Sequence, residues 1–196
     1  MDTKKILFTG VGGQGTLLAS RLLGEAAMAA GMDVRVSEVH GMAQRGGVVE
    51  STVMLGGLKS PIISQGEADI LVSFEPLETI RALNRCSKGS VIVTNTIPIT
   101  PITVKLGQAE YPDVDHWLNF MKSNYRRVCA LDANELAKEA GTSKAVNVVL
   151  LGVLIGLNEI PVTKEMVEET IKRQVKPKFV EANLKAFELG LSKAEC

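Results

Sequence analysis

Two glycine-rich stretches near the N-terminus of this 196-residue chain hold the residues whose types and spacing suit chemistry. The first, TGVGGQGT, runs from Thr9 to Thr16. Gly10, Gly12 and Gly15 satisfy G-x-G-x-x-G, with Gly13 and Gln14 between them, after the apolar run KKILF and before a helical pattern opening at Thr16. Glycines there permit a tight turn and let a diphosphate approach backbone N–H groups, and the helix N-terminus adds partial positive charge. Glu38 stands about where a dinucleotide fold places its ribose-binding acid. The same glycines would equally let the helix pack closely on a sheet, or let another subunit approach. The residues alone leave both readings open. GGQG is unusual for a nicotinamide fingerprint, and the second strand turns back where a helical crossover should begin.

The second stretch is HGMAQRGG, from His40 to Gly47. Arg45 follows Gln44 and precedes Gly46 and Gly47, with His40 and Gly41 at the start of the loop. A guanidinium on a glycine loop suits an anionic ligand or the carboxylate of a neighbouring subunit, because it pairs bidentately. The alternative is a solvated arginine on a glycine turn. His40 follows a strand, which favours a positioning hydrogen bond over proton transfer. His116, beside Trp117, reads as packing or partner contact. Asp69, Glu75 and Glu78 flank an apolar run, where strand ends and first helical turns favour acids anyway. No catalytic or metal-ligating residue is assigned. Cys86, Cys129 and Cys196 are far apart and form no CxxC, so the expectation is buried or idle thiols in a reducing compartment.

The elements that would position these groups are legible from periodicity. Strands are expected at 5–9, 33–39, Val48–Leu55, 68–74, 90–95 and Arg127–Leu131. Helices are expected at 16–30, 75–85, 132–140 (with Asp132 as N-cap and Glu135 three residues on), 143–157, 163–174 and 178–191. Only residues 40–47 join the second and third strands, too few for a helical crossover. The strand Val48–Leu55 is therefore antiparallel to the second strand, or lies away from it. Residues 96–117 hold three of the seven prolines and form an excursion, a candidate partner-facing arm. The alternation of β and α predicts an α/β fold: a three-layer α/β/α single domain over residues 1–196, its mixed sheet mostly parallel, with C-terminal helices 143–193 packed on it.

Composition narrows the function further. Lys plus Arg equals Asp plus Glu at 22 each, and 4% of residues are aromatic, which gives no electrostatic or stacking case for nucleic acid. The longest apolar run, 145–157, is too short to span a bilayer and carries Asn147. No signal peptide pattern opens the chain, so a cytoplasmic location and no membrane contact are expected.

The pair GVGGQGTLLASRLLGEAA and SEVHGMAQRGGVVESTVMLG, at this separation, resembles the small gamma-type subunit of the 2-oxoacid:ferredoxin oxidoreductases. The HGMAQRGG form is most similar to the beta subunit of the indolepyruvate branch. The likeness continues through ADILVSFEPLET, NVVLLGVLIG and FVEANLKAFELG, nearly the whole chain. The resemblance implies the gamma-domain fold and a share in oxidative decarboxylation of a 2-oxoacid, with electrons passing to ferredoxin. It implies a large alpha-type partner subunit that carries thiamine diphosphate, Mg and [4Fe-4S] clusters, and no cofactor held by this chain alone. It leaves room for coenzyme A at the subunit interface and for a homodimer when the partner is absent. Gly10–Thr16 and His40–Gly47 would then form one rim that holds an anion or caps the partner's active site. The other readings are a self-sufficient nucleotide-binding protein and a pure assembly module.

Overall fold

The computed structural model describes residues 3–41 and 46–196, His40 by its backbone. Gln44 and Arg45 lie outside the described residues. Six strands form one sheet: β1 (Lys4–Val11), β2 (Val34–His40), β3 (Val48–Leu55), β4 (Ala68–Ser73), β5 (Cys86–Asn95) and β6 (Arg127–Leu131). Their spatial order is β2-β3-β1-β4-β5-β6. β3 runs antiparallel to both β1 and β2, and β1, β4, β5 and β6 are successively parallel. The short 40–47 connection forces the reversal, as expected, and β3 inserts between β1 and β2.

The parallel strands β1, β4 and β5 are largely buried on both faces, which explains their near-continuous apolar runs. Ile6 and Phe8 of β1, Ile70 and Val72 of β4, and Val91 and Val93 of β5 enter one core. Leu7, Leu71 and Ile92, one residue out of phase, enter a second. The first core is closed by α1 (Thr16–Ala29), α5 (Ala133–Glu139), α6 (Val146–Gly156), α7 (Lys164–Gln174) and α8 (Pro177–Leu191). The second is closed by α2 (Pro76–Ala82), by α4 (Val114–Asn124) and by Leu58 and Ile63 of the β3–β4 connection. The apolar α6 is buried from Val146 to Ile155, between the sheet and α8. Asp132 caps α5 as expected, accepting from the Glu135 N–H at 2.9 Å.

The excursion is more ordered than its prolines imply. It contains a short helix, α3 (Ile102–Lys105), and ends in α4, a helix absent from the sequence reading. Its signals are present: Asp113 accepts from the His116 N–H at 3.1 Å as an N-cap, and Val114, Trp117, Leu118 and Met121 recur at helical spacing. The expectation of idle thiols fails for two cysteines. Cys129 and Cys196 form a disulfide, and Cys86 is free and buried. Sequence spacing could not reveal this, because the pairing depends on where α8 returns the C-terminus.

Candidate functional site at the glycine rim

The glycine turn is built by its own residues. Gln14 accepts the Val11 N–H at 2.7 Å through Oε1 and donates through Nε2 to the Phe74 carbonyl at 2.8 Å. Its side chain thus braces the turn and ties β1 to the β4–α2 connection. Gly13 and Gly15 have φ of +105° and +80°, conformations that L side chains rarely adopt. Gly15 is the N-cap of α1 and supplies no side-chain cap, so the first N–H groups of the helix have no side-chain acceptor from that residue.

The second stretch is stitched to the first through backbone. The Gly12 N–H donates to the Gly47 carbonyl at 2.8 Å, while Gly10 and Val11 pair with Val49 and Val48. His40 ends β2 opposite Val49, and the Gly41 N–H donates to the Val48 carbonyl at 3.2 Å. Gly46 is in the left-handed region at φ +78°. The rim therefore joins Gly10–Thr16 with the ends of the 40–47 loop, at the C-terminal ends of β1 and β2. Parallel β1 and β4 lie side by side here while the chain departs from them to opposite sides, the topological position where open α/β sheets form ligand crevices.

Two crevices flank the turn. One, about 330 Å³, lies between Gly12, Gly13, Thr16, Leu17 and Val49. The other, about 500 Å³, lies on the far side, between Gly13, Gly15, Leu18, Ile99, Asn134, Lys144 and Asn147. Lys144 is its only charged lining residue among the described residues, and Leu18 and Ile99 form an apolar wall. Behind it, buried Asn95 donates to the Phe74 carbonyl at 3.2 Å and to Asn134 Oδ1 at 3.0 Å, and accepts the Ala133 N–H at 3.0 Å. Asn147 Nδ2 donates to the Gly15 carbonyl at 3.2 Å, leaving its buried Oδ1 without a partner; buried Thr16 Oγ1 has none either. Asn95, Asn134 and Lys144 were not foreseen. They stand at three separate places in the sequence, and only the sheet order gathers them.

The remaining polar groups read as structural. Glu75 is 1% exposed and caps α2: one oxygen accepts the Glu78 N–H at 3.1 Å, and the other accepts the Ile99 N–H at 3.0 Å and the Tyr111 hydroxyl. It thereby pins both ends of the excursion. Burial, and then the Glu75 carboxylate, push the Tyr111 phenol above its ordinary range. Asp69 accepts the Lys5 N–H at 2.7 Å, and His116 meets Trp117 edge-on with ring centroids 6.1 Å apart. Glu38 lies on β2, and β3 separates that strand from β1, about 10 Å across two strand spacings. The expected ribose position is thus far from the turn, which weighs against a nicotinamide fingerprint. Among the described residues, no group of three or more His, Cys, Asp or Glu side chains could hold a metal ion. No helix among them is long and apolar enough to cross a membrane.

Comparison with known proteins agrees with this architecture. Residues 5–193 match the family described as pyruvate ferredoxin/flavodoxin oxidoreductase. The indolepyruvate oxidoreductase subunit IorB of Thermococcus kodakarensis is 42% identical over all of this chain and 98% of its own length. The crystal structure of a keto/oxoacid ferredoxin oxidoreductase gamma subunit from Geobacter sulfurreducens superposes with a TM-score of 0.72 at 28% identity, covering 97% of this chain and 98% of that one. A 2-oxoglutarate:ferredoxin oxidoreductase from Magnetococcus marinus, with 2-oxoglutarate, coenzyme A and succinyl-CoA bound, shares the fold. Its TM-score is 0.73 at 20% identity, over all of this chain and 31% of that one. The chain belongs to the pyruvate ferredoxin/flavodoxin oxidoreductase family, as a subunit of an indolepyruvate-type 2-oxoacid:ferredoxin oxidoreductase.

Proposed function

We propose that this chain is the non-cofactor-bearing subunit of a cytoplasmic enzyme that oxidatively decarboxylates an aryl 2-oxoacid and passes the electrons to ferredoxin. A large alpha-type subunit carries thiamine diphosphate, Mg and the [4Fe-4S] clusters. The described residues do not fit those groups: two of the three cysteines bind each other, the third is buried, and among the described residues no group of three or more His, Cys, Asp or Glu side chains could hold a metal ion. They do fit an anionic, diphosphate-bearing acyl acceptor such as coenzyme A. Its thiol would take the acyl group, and this chain would hold the diphosphate end at the interface.

The observation that carries the reading is the Gly12–Gly47 hydrogen bond, which joins the two motifs into one rim. On that rim Gly13, Gly15 and Thr16 would offer backbone N–H groups at the start of α1, with Gly46 and Gly47 beside them, while Gly10, Gly12 and Gly41 set the shape of the turn through their backbone pairing. By their residue types, Arg45 and Gln44 would bring a cation and hydrogen-bonding groups from the same loop, which begins at His40. Gln14 contributes by holding the turn.

The test is Arg45→Ala in the complex reconstituted with the large subunit, assayed by substrate- and coenzyme-A-dependent dye reduction. The KM for coenzyme A should rise about tenfold or more, the cost of one charge-assisted pair, with the complex still assembled. Unchanged KM and kcat would remove the charge role. Loss of assembly alone would make the rim purely an interface.

A further inference from the structure

The C-terminal residue is held against the β6 margin of the sheet by several independent contacts. Cys129, in the middle of β6, is 1% exposed, whereas its disulfide partner Cys196 is the last residue and is exposed. Their Cα atoms are 5.3 Å apart across a sequence separation of 67. Two residues before Cys129, on the same face of the strand, Arg127 donates through Nε to the Cys196 carbonyl at 2.7 Å. It donates through Nη2 to the Ala194 carbonyl at 2.9 Å. Ala194 is itself buried, and its Cβ lies 2.6 Å from where a methyl on Gly156 would stand. The tail is thus positioned by packing and by Arg127 before any covalent bond is counted. That seating holds the two sulfurs together and makes ring closure a local event.

We propose that Cys129 and Cys196 form a redox-sensitive clasp that fastens the C-terminus to β6 and opens to two thiols. The asymmetry of exposure sets the order of steps. In opening, a thiolate of a dithiol reductant attacks the sulfur of Cys196, the exposed residue of the pair, and Cys129 leaves as a thiolate that takes up a proton. The second thiol of the reductant then attacks the mixed disulfide, frees Cys196 as a thiol and leaves the reductant as its cyclic disulfide. Two electrons and two protons pass from the dithiol to the protein. Closing is the reverse, with an oxidised dithiol as the two-electron acceptor. The third cysteine stays out of the exchange: Cys86 is buried, and burial pushes its thiol up to about 11. In the open state the tail keeps only the two Arg127 hydrogen bonds and the Ala194 contact.

The experiment equilibrates the full chain without oxygen in mixtures of reduced and oxidised dithiothreitol. Thiols are trapped by acid and then iodoacetamide, and the labelled peptides are read by mass spectrometry. Cys129 and Cys196 should gain label together in one two-electron transition. Brief labelling of the native oxidised chain should leave all three cysteines unmodified. The oxidised chain should melt several degrees above the reduced chain. Cys196→Ser, at the exposed end of the disulfide, should melt at the reduced wild-type temperature in either buffer. Label on Cys196 in the most oxidising mixture, or a melting temperature indifferent to both reductant and Cys196→Ser, would overturn the proposal.

Discussion

Glycines do opposite work in two regions of this molecule. At Gly13, in the turn at Gly10–Thr16, glycine is chosen for conformation and stands in open space. A Cβ on Gly13 would meet nothing within 4 Å, yet its φ of +105° disfavours any other residue. In the α6–α8 contact the glycines have ordinary helical conformations, and they are chosen because backbone meets backbone. A Cβ on Gly152 would strike the Phe187 carbonyl oxygen and lie 3.0 Å from the Gly190 Cα; one on Gly190 would strike the Val149 carbonyl oxygen. Gly13 keeps room for something outside the chain, and the helix pair leaves room for nothing. A glycine count in the sequence cannot tell these apart, but substitution can.

The largest effect should come from Gly190→Ala. Alanine favours a helix over glycine by about 1 kcal/mol, but overpacking against backbone costs about 3 kcal/mol, so the clash wins. For a chain of this size the net loss should lower the melting temperature by roughly 4–8 °C. A rise in melting temperature would show that α6 and α8 can slide apart cheaply. Next in size is Asn95→Ala, which leaves the buried Ala133 N–H without its acceptor while the Phe74 carbonyl keeps Gln14, at a cost of about 1.5 kcal/mol. Gly13→Ala should cost less in stability, about 1 kcal/mol for the backbone alone, because space is open. In the reconstituted complex its effect on the KM for coenzyme A should exceed tenfold, since the new methyl stands between both crevices. If Gly13→Ala lowers the melting temperature and leaves KM alone, the turn glycines are structural like those of the helices.

The same contrast explains what the sequence disclosed. Local physics was legible: the turn, the Asp132 cap, the apolar α6 and the reversal at β3, which a connection of residues 40–47 makes unavoidable. What depends on long-range placement was not. That β3 would lie between β1 and β2, separating Glu38 from the turn, follows from pairing with Lys4–Val11, from Val11 opposite Val48 to Lys4 opposite Leu55. Lys144 and Asn134 carry no motif, and they reach the crevice only because α5 and α6 begin at the C-terminal side of the sheet. Cys129 and Cys196 meet because Gly152, Gly156 and Gly190 let α8 lie close on α6 and bring the tail back to β6. α4 was missed for a different reason. Its cap and apolar spacing are local signals, but the prolines before it dominated the reading.

The smallest expected effect sharpens the view that the carboxylates beside the rim are structural. Glu78 is 3% exposed in the first turn of α2; Oε1 accepts from Arg81 at 2.7 Å, and buried Oε2 has no partner. Burial pushes its carboxyl above the ordinary value. The Arg81 charge pulls it back in part, and Glu75 adds to the rise. Arg81 is 54% exposed, so that ion pair is worth about 1 kcal/mol at most. A carboxyl raised on folding stabilises the fold fully below its unfolded value, and that contribution is lost as pH rises through its folded value. Glu78→Gln removes the titration. The variant's stability relative to wild type should therefore climb as pH rises above the ordinary carboxyl range, measured by urea unfolding at several pH values. A difference that stays flat would mean that the Glu78 carboxylate is fully compensated where it sits. An activity loss at unchanged stability in the complex would move Glu78 from the scaffold to the chemistry.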